Sequence, residues 1–177
     1  IVGAGMIAEF HAKAIEAMEG AEVAAIYSRR LQPADAFAAQ HDCVSYTDYE
    51  AFLRHEGLDI VTICTPSGAH LEPVEAAAKA GKHIICEKPL EVTTERVDRM
   101  IDVCDRHGVM LAGVFPRRFN EATHLLKREI DAGRFGTINM ADAYVKWWRT
   151  QAYYDSGAWR GTWALDGGGA LMNQSIH

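Results

Sequence analysis

Three groups of residues in this chain could do chemistry. The first is Gly3-Ala4-Gly5-Met6-Ile7-Ala8, a G-x-G-x-x-A loop between a strand end and a helix. Gly3 permits a tight turn, Gly5 lets backbone approach a pyrophosphate, and Ala8 is small enough for close helix–sheet packing. The helix expected from Ile7 adds free N–H groups and a positive dipole end, so the loop, with Met6 and Ile7, points to a dinucleotide cofactor. The second group, Glu87-Lys88-Pro89, follows the apolar run His83–Cys86. The third runs from Asp166-Gly167-Gly168-Gly169 through Asn173 to His177.

These side chains suit oxidation of an alcohol, which loses a hydride and a hydroxyl proton. The cofactor takes the hydride. Histidine titrates near neutral pH and suits the proton, and an ammonium beside the hydroxyl stabilises developing alkoxide charge. Lys88 and His177 are therefore the candidate catalytic residues. Asn173 precedes His177 by four and shares a helix face with it, where it could bond substrate or orient the ring. Gly167–Gly169 would let backbone approach a substrate closely. Without the surrounding motifs, His177 reads as a surface or capping histidine and Lys88 as a surface lysine beside a proline.

The end of the second strand selects between cofactors. A site for NAD usually carries Asp or Glu there, about 20 residues after the glycine loop. Here Ala24-Ala25-Ile26-Tyr27-Ser28-Arg29-Arg30 has no carboxylate. Ser28 can bond a 2′-phosphate and Arg29 or Arg30 can neutralise it. NADP is expected in preference to NAD.

Positioning these groups requires alternating strands and helices. Strands are expected at Ile1–Val2, Glu22–Tyr27, Ile60–Cys64, His83–Cys86 and Val109–Val114. Helices are expected at Ile7–Met18, Pro33–Gln40, Tyr49–His55, Leu71–Ala80 and Thr94–His107. Pro33 suits a first turn, Gly81 and Gly108 suit left-handed caps, and Thr93 or Thr94 can cap the helix that follows. The fold class is α/β: a Rossmann doubly wound parallel sheet over residues 1–116. After it come a helix from about Asn120 to Ala132, a β-like run Thr137–Trp148, a Gly- and Trp-rich loop Tyr153–Gly169 and a new helix near Ala170. Residues 117–177 thus read as the start of an α+β sheet domain for substrate and oligomerisation. The chain opens inside a motif and stops within a helical stretch, so it reads as part of a longer protein whose leader peptide stays an open question.

Composition narrows the classes. The chain has 177 residues, 49% hydrophobic and 24% charged, as in ordinary globular domains. No apolar run approaches the roughly 18 residues of a spanning helix, which argues against a membrane role. A net charge of −6 disfavours a nucleic-acid binder. Cys43, Cys64, Cys86 and Cys104 show no CxxC, and the histidines no HExxH, so no metal site is expected. Buried free thiols in a reducing compartment, and a cytoplasmic location, are the default.

Taken together, the glycine loop, Thr65-Pro66-Ser67-Gly68-Ala69-His70, Glu87-Lys88-Pro89 and the Asp166–His177 segment resemble the Gfo/Idh/MocA oxidoreductases, the glucose–fructose oxidoreductase and inositol dehydrogenase group. The resemblance implies an NAD(P)-dependent enzyme acting on a sugar, sugar derivative or polyol, as a homo-oligomer. It places Lys88 at the reacting hydroxyl, Glu87 near the nicotinamide ribose, and Thr65, Pro66 and His70 in a loop bordering the cofactor. It makes His177 the general acid/base. Trp159-Arg160 resembles a pair that contacts NADP in some members. Two positions depart from the pattern: Asn173 stands where Asp is common, and Phe115-Pro116 where a polar residue is common. Tyr153, Tyr154, Trp159, Arg160, Thr162 and Trp163 suit a sugar ring but equally a domain core, and Arg117 and Arg160 could hold phosphates or close the domain interface. Two other functions share these features: a redox-assisted glycosidase or lyase with retained NAD, and a non-catalytic nucleotide-binding regulator.

Overall fold

A computed structural model describes all 177 residues. Five short strands form the scaffold: β1 (Ala25–Tyr27), β2 (Val44–Tyr46), β3 (Ile60–Ile63), β4 (His83–Cys86) and β5 (Leu111–Gly113). All their pairings are parallel. Val2 bridges Tyr27 on one side and Ile63 on the other, which joins two halves into one sheet. The order is β2–β1–Val2–β3–β4–β5, a doubly wound sheet whose direction switches between Val2 and β3.

Helices cover both faces. Residues next to each other on a strand point to opposite sides, and the core divides accordingly. Ile1, Ile26 and Val23 pack with Ala8 and Ala12 of α1 (Met6–Glu16) and Phe37 of α2 (Leu31–His41). Val2, Ala25, Val61, Ile63 and Ile84 pack with α3 (Tyr49–Leu53), α4 (Leu71–Lys79) and α5 (Thr94–His107). The expected punctuation is present: Thr93 accepts from the Arg96 N–H, and Gly81 and Gly108 are left-handed.

Several expectations change. Residues 1–2 contribute a single bridging residue instead of a strand, and β1 begins only at Ala25. β2 is a strand that the sequence hides, because Val-Ser-Tyr at a half-exposed sheet edge carries little apolar signal. α2 starts two residues before Pro33, which still falls in the first turn. The Thr137–Trp148 run has strand composition but no strand partner, and a lone strand has nothing to satisfy its backbone. Two helices lie in the second region, α6 (Glu121–Asp131) and α7 (Gln151–Asp155). The helix expected near Ala170 is one turn of π-helix, Leu171–Ser175.

Candidate active site

The glycine loop and the Thr65 loop leave adjacent parallel segments at the sheet's switch point, where such folds open a ligand crevice. Gly3 has φ +95° and sits so close to the Cys64 carbonyl that a Cβ would lie 3.0 Å from it. Only glycine fits that turn without strain. Gly5 caps α1 with extended backbone and no side-chain partner, and a Cβ there would meet no protein atom within 4 Å. The space in front of Gly5, Met6 and Ile7 is therefore open to a ligand, and Met6 and Ile7 are exposed. These features fit the pyrophosphate of a dinucleotide. At the end of β1, Ser28 is half-buried and Arg29 and Arg30 are exposed. The Ser28 hydroxyl accepts the Arg30 N–H at 3.3 Å.

The loop after β4 is anchored from three directions. His11, on α1, meets the Glu87 carboxylate at 3.0 Å. Burial works against a charge on His11, but the Cys64 sulfur and the Glu87 carboxylate outweigh it and raise its pKa to about 9. Burial likewise opposes the charge on Glu87, yet the pair with His11 and the Lys88 N–H hold it below the usual carboxylate range. His70 is wholly buried, with Nδ1 3.0 Å from both the Pro89 and Leu90 carbonyls and Nε2 2.9 Å from the Thr65 carbonyl. Glu91 is also buried and accepts from Leu71 N, Val92 N and Arg96. The Lys88–Pro89 peptide is cis. His70 therefore braces the two loops from behind and does not present its ring to a ligand. The Thr65 hydroxyl, too, is engaged with the Ala69 carbonyl, and Pro66 caps the short Ser67–Ala69 turn.

Lys88 reaches from this loop into the second region. Its Nζ donates to the Asn173 carbonyl at 2.9 Å and to Asn173 Oδ1 at 3.0 Å. The Asn173 amide donates in turn to Asp166, and the other Asp166 oxygen accepts Gly161 N–H at 2.7 Å. Asn173 and Asp166 are both buried. Carboxamide is the group that serves here: it accepts from an ammonium and donates to a carboxylate, whereas Asp at position 173 would set two carboxylates together. Asp166 thus supplies the charge that the sequence lacks at position 173. Burial lowers the Lys88 pKa, partly offset by Glu87 and Asp166 and reinforced by Arg149 and Arg160.

His177 stands in the same field. Burial lowers its pKa first, and Lys88, Arg117 and Arg149 lower it further. Its ring packs 5.5 Å from Trp147. Of the two roles open to Asn173, bonding substrate or orienting the His177 ring, the second has no hydrogen bond behind it: Asn173 is committed to Lys88 and Asp166, and the intervening π-turn departs from α-helical spacing. Gly68 completes the junction. It donates to the Leu165 carbonyl at 3.0 Å, and a Cβ there would collide with the Ala164 carbonyl. Gly167 (φ +82°) lies against Val92 in the same way.

Trp159 and Arg160, expected at the cofactor, belong to a cluster of arginines on aromatic faces. Arg160 lies 4.3 Å from the Tyr153 ring and 4.7 Å from that of Trp159, and donates to the Tyr153 hydroxyl. His11 carries no motif signal, and Asp166 is legible in the sequence only as the start of the third motif, without a role. His11 lies one turn beyond the glycine loop and Asp166 opens the glycine run, but only the folded chain shows their partners.

A glycine cradle at the switch point of a parallel sheet, with a lysine braced on Asn173 beside it, marks a dinucleotide-binding Rossmann protein. Residues 1–115 match the oxidoreductase family with NAD-binding Rossmann fold, and residues 123–177 match the GFO/IDH/MocA C-terminal domain. The chain belongs to this GFO/IDH/MocA family. Inositol 2-dehydrogenase of Rhizobium meliloti (strain 1021) is 34% identical over 140 residues, 79% of this chain and 42% of that protein. D-glucoside 3-dehydrogenase of Escherichia coli (strain K12) is 32% identical over 182 residues, 100% of this chain and 50% of the relative. Among solved structures, the WlbA dehydrogenase from Bordetella pertussis, in complex with NADH and UDP-GlcNAcA, is 36% identical with a TM-score of 0.93, over 98% of this chain and 52% of that one. The chain spans about half the length of these relatives.

Proposed function

We propose that this protein is an NAD(P)-dependent oxidoreductase that interconverts a secondary alcohol and a carbonyl on a sugar, sugar derivative or polyol. The observation that carries this reading is the Lys88–Asn173–Asp166 chain of hydrogen bonds, which fixes one ammonium in the field of His177 and beside the Rossmann crevice. When bound, the nicotinamide cofactor supplies the hydride acceptor or donor. Gly3, Gly5, Met6 and Ile7 would hold its pyrophosphate, and Thr65, Pro66, Glu87 and the Trp159-Arg160 pair would border the cofactor elsewhere, with His70 acting from behind.

Lys88 spends two of its three N–H donors on Asn173 and keeps one for the reacting oxygen. That contact strengthens as alkoxide charge develops, so it favours the transition state over the ground state. His177, its pKa lowered, is neutral at pH 7 and can take the hydroxyl proton in oxidation or return it in reduction.

NADP is the proposed preference, because Ser28, Arg29 and Arg30 stand where a carboxylate would contact the ribose of NAD. The relatives' carbohydrate substrates support the substrate class. The reading further takes the protein to be a cytoplasmic homo-oligomer that associates through the unpartnered Thr137–Trp148 run. It divides the chain into 1–116 and 117–177.

The test is absorbance of the reduced cofactor during incubation with a panel of sugars and polyols, using NADP and NAD separately. Lys88→Ala is expected to lower kcat at least about 1,000-fold with cofactor affinity retained. Near-normal turnover in Lys88→Ala and His177→Ala would overturn the assignment. A clear NAD preference in kcat/KM would overturn the cofactor choice alone.

A further inference from the structure

Asp166 is 2% exposed, and a buried carboxylate is costly unless its oxygens are bonded and its charge is answered. The oxygens are bonded. Oδ1 accepts from the Asn173 amide, and Oδ2 accepts the Gly161 N–H at 2.7 Å. No lysine or arginine forms an ion pair with it. The cation it meets is one side chain further on, because Asn173 Oδ1 accepts in turn from Lys88 Nζ at 3.0 Å.

These bonds have a direction. An ammonium only donates and an ionised carboxylate only accepts, so Asn173 fits between them one way round, oxygen toward Lys88 and nitrogen toward Asp166. An amide at position 166 would break that order. Its oxygen can still accept the Gly161 N–H, but its nitrogen then faces the Asn173 nitrogen. Turning Asn173 over only moves the conflict, since its nitrogen then meets the ammonium. Tying down the Gly161 loop asks for one acceptor, which asparagine supplies as well as aspartate. The order of donors and the charge therefore belong to a second task.

We propose that Asp166 is a positioning residue, which acts through Asn173 to keep the Lys88 ammonium charged and aimed at the reacting oxygen. The inference rests on the oxidoreductase reading, in which Lys88 is catalytic, and deepens it. Burial drives Lys88 toward its neutral form and Arg149 and Arg160 add to this, while Glu87 and Asp166 oppose them. His177 also faces Lys88, but its lowered pKa leaves it neutral in the alkaline range where an ammonium titrates. Glu87 has a counter-ion of its own in His11. Asp166 has none, so Lys88 is the cation that its charge serves.

The test uses the protein expressed from its whole gene with isotope-labelled lysine. NMR follows the titration of Lys88, assigned by Lys88→Arg, and kinetics gives kcat against pH. Asp166→Asn keeps the size of the side chain and the bond to Gly161. It is expected to lower kcat about 10- to 100-fold with the cofactor KM within about threefold of wild type. It is also expected to move the Lys88 titration, and with it the alkaline limb of kcat, to lower pH, because a carboxylate that favours the ammonium is gone. Asp166→Asn combined with Asn173→Asp exchanges the two groups. The carboxylate then accepts directly from Lys88 and from the amide, whose oxygen keeps the Gly161 N–H, so every donor again meets an acceptor. The exchange is expected to return kcat to within about fivefold of wild type, and the Lys88 titration to its wild-type midpoint or above, although each single substitution is impaired. An unmoved Lys88 titration in Asp166→Asn overturns the proposal, whatever happens to kcat. So does a folded exchange variant no more active than the poorer single one. Either variant carries the test if the other does not fold. A Lys88 titration that moves as expected in a protein without hydride transfer upholds the link to Asp166 and overturns the oxidoreductase reading instead.

Discussion

The Rossmann match, residues 1–115, and the C-terminal match, residues 123–177, bury different kinds of side chain in this chain. In the first region, every buried apolar side chain lies between Ile1 and Cys104, in two layers on either face of the sheet. In the second, the buried residues are Asp166, Asn173 and Gln174, all polar, and large rings such as Tyr144, Trp148 and Trp163 are exposed. The first region is held by its core. The second is docked through Gly68 on Leu165, Gly167 on Val92 and Lys88 on Asn173. The Lys88–Asn173 contact belongs both to this attachment and to the candidate catalytic network, so damage to one should be felt in the other.

That contrast can be tested by perturbing each region. Phe52→Ala removes a fully buried ring from the larger core and should destabilise the Rossmann region by about 3–5 kcal/mol, read by denaturant unfolding. A loss under about 1 kcal/mol would mean the core is not the support described here. Asn173→Ala strips Lys88 of its side-chain acceptor and should lower kcat by about 10- to 100-fold, with a smaller change in unfolding midpoint. Asn173→Asp should not rescue it, because two carboxylates then share one buried site. Equal activity in both variants and wild type would separate docking from catalysis.

Two pH experiments probe smaller effects. Because His177 is shifted downward, the rising limb of kcat/KM should have its midpoint below the ordinary 6.5, and His177→Gln should remove that limb. A midpoint above 6.5 would contradict its surroundings. His11 tests the first region alone. Its pKa is raised in the folded chain, so its pairing with Glu87 stabilises fully below pH 6.5 and is lost as pH rises through about 9. Glu87, lowered, contributes above its ordinary range near 4.5 and loses that contribution as the solution is acidified through its folded pKa. Thermal melts from pH 6.5 to 9 should therefore show a decline that His11→Asn flattens. An unchanged slope in that variant would assign the decline to another group.

The glycine loop, the parallel alternation and α5 with its Thr93 cap were legible because their signals are local: a spacing, a period, a capping residue. β2 was not, since a three-residue edge strand with one apolar residue has no period to detect. Thr137–Trp148 differs for the opposite reason: β-rich composition describes fitness for a sheet but supplies no neighbour within this chain. Lys88 and His177 could be nominated from their motifs, yet Asp166 and His11 could not be joined to them.

Sequence alone determined the element types, the cradle and the identity of the chemical groups, because backbone preference and side-chain chemistry are properties of short segments. Tertiary structure decided the partnerships. Lys88 and Asn173 stand 85 residues apart, and His11 and Glu87 76 apart, so only the closing of the sheet and the docking of the second region bring them together. Burial in those contacts then set which groups carry charge, and no property of an isolated segment contains that information.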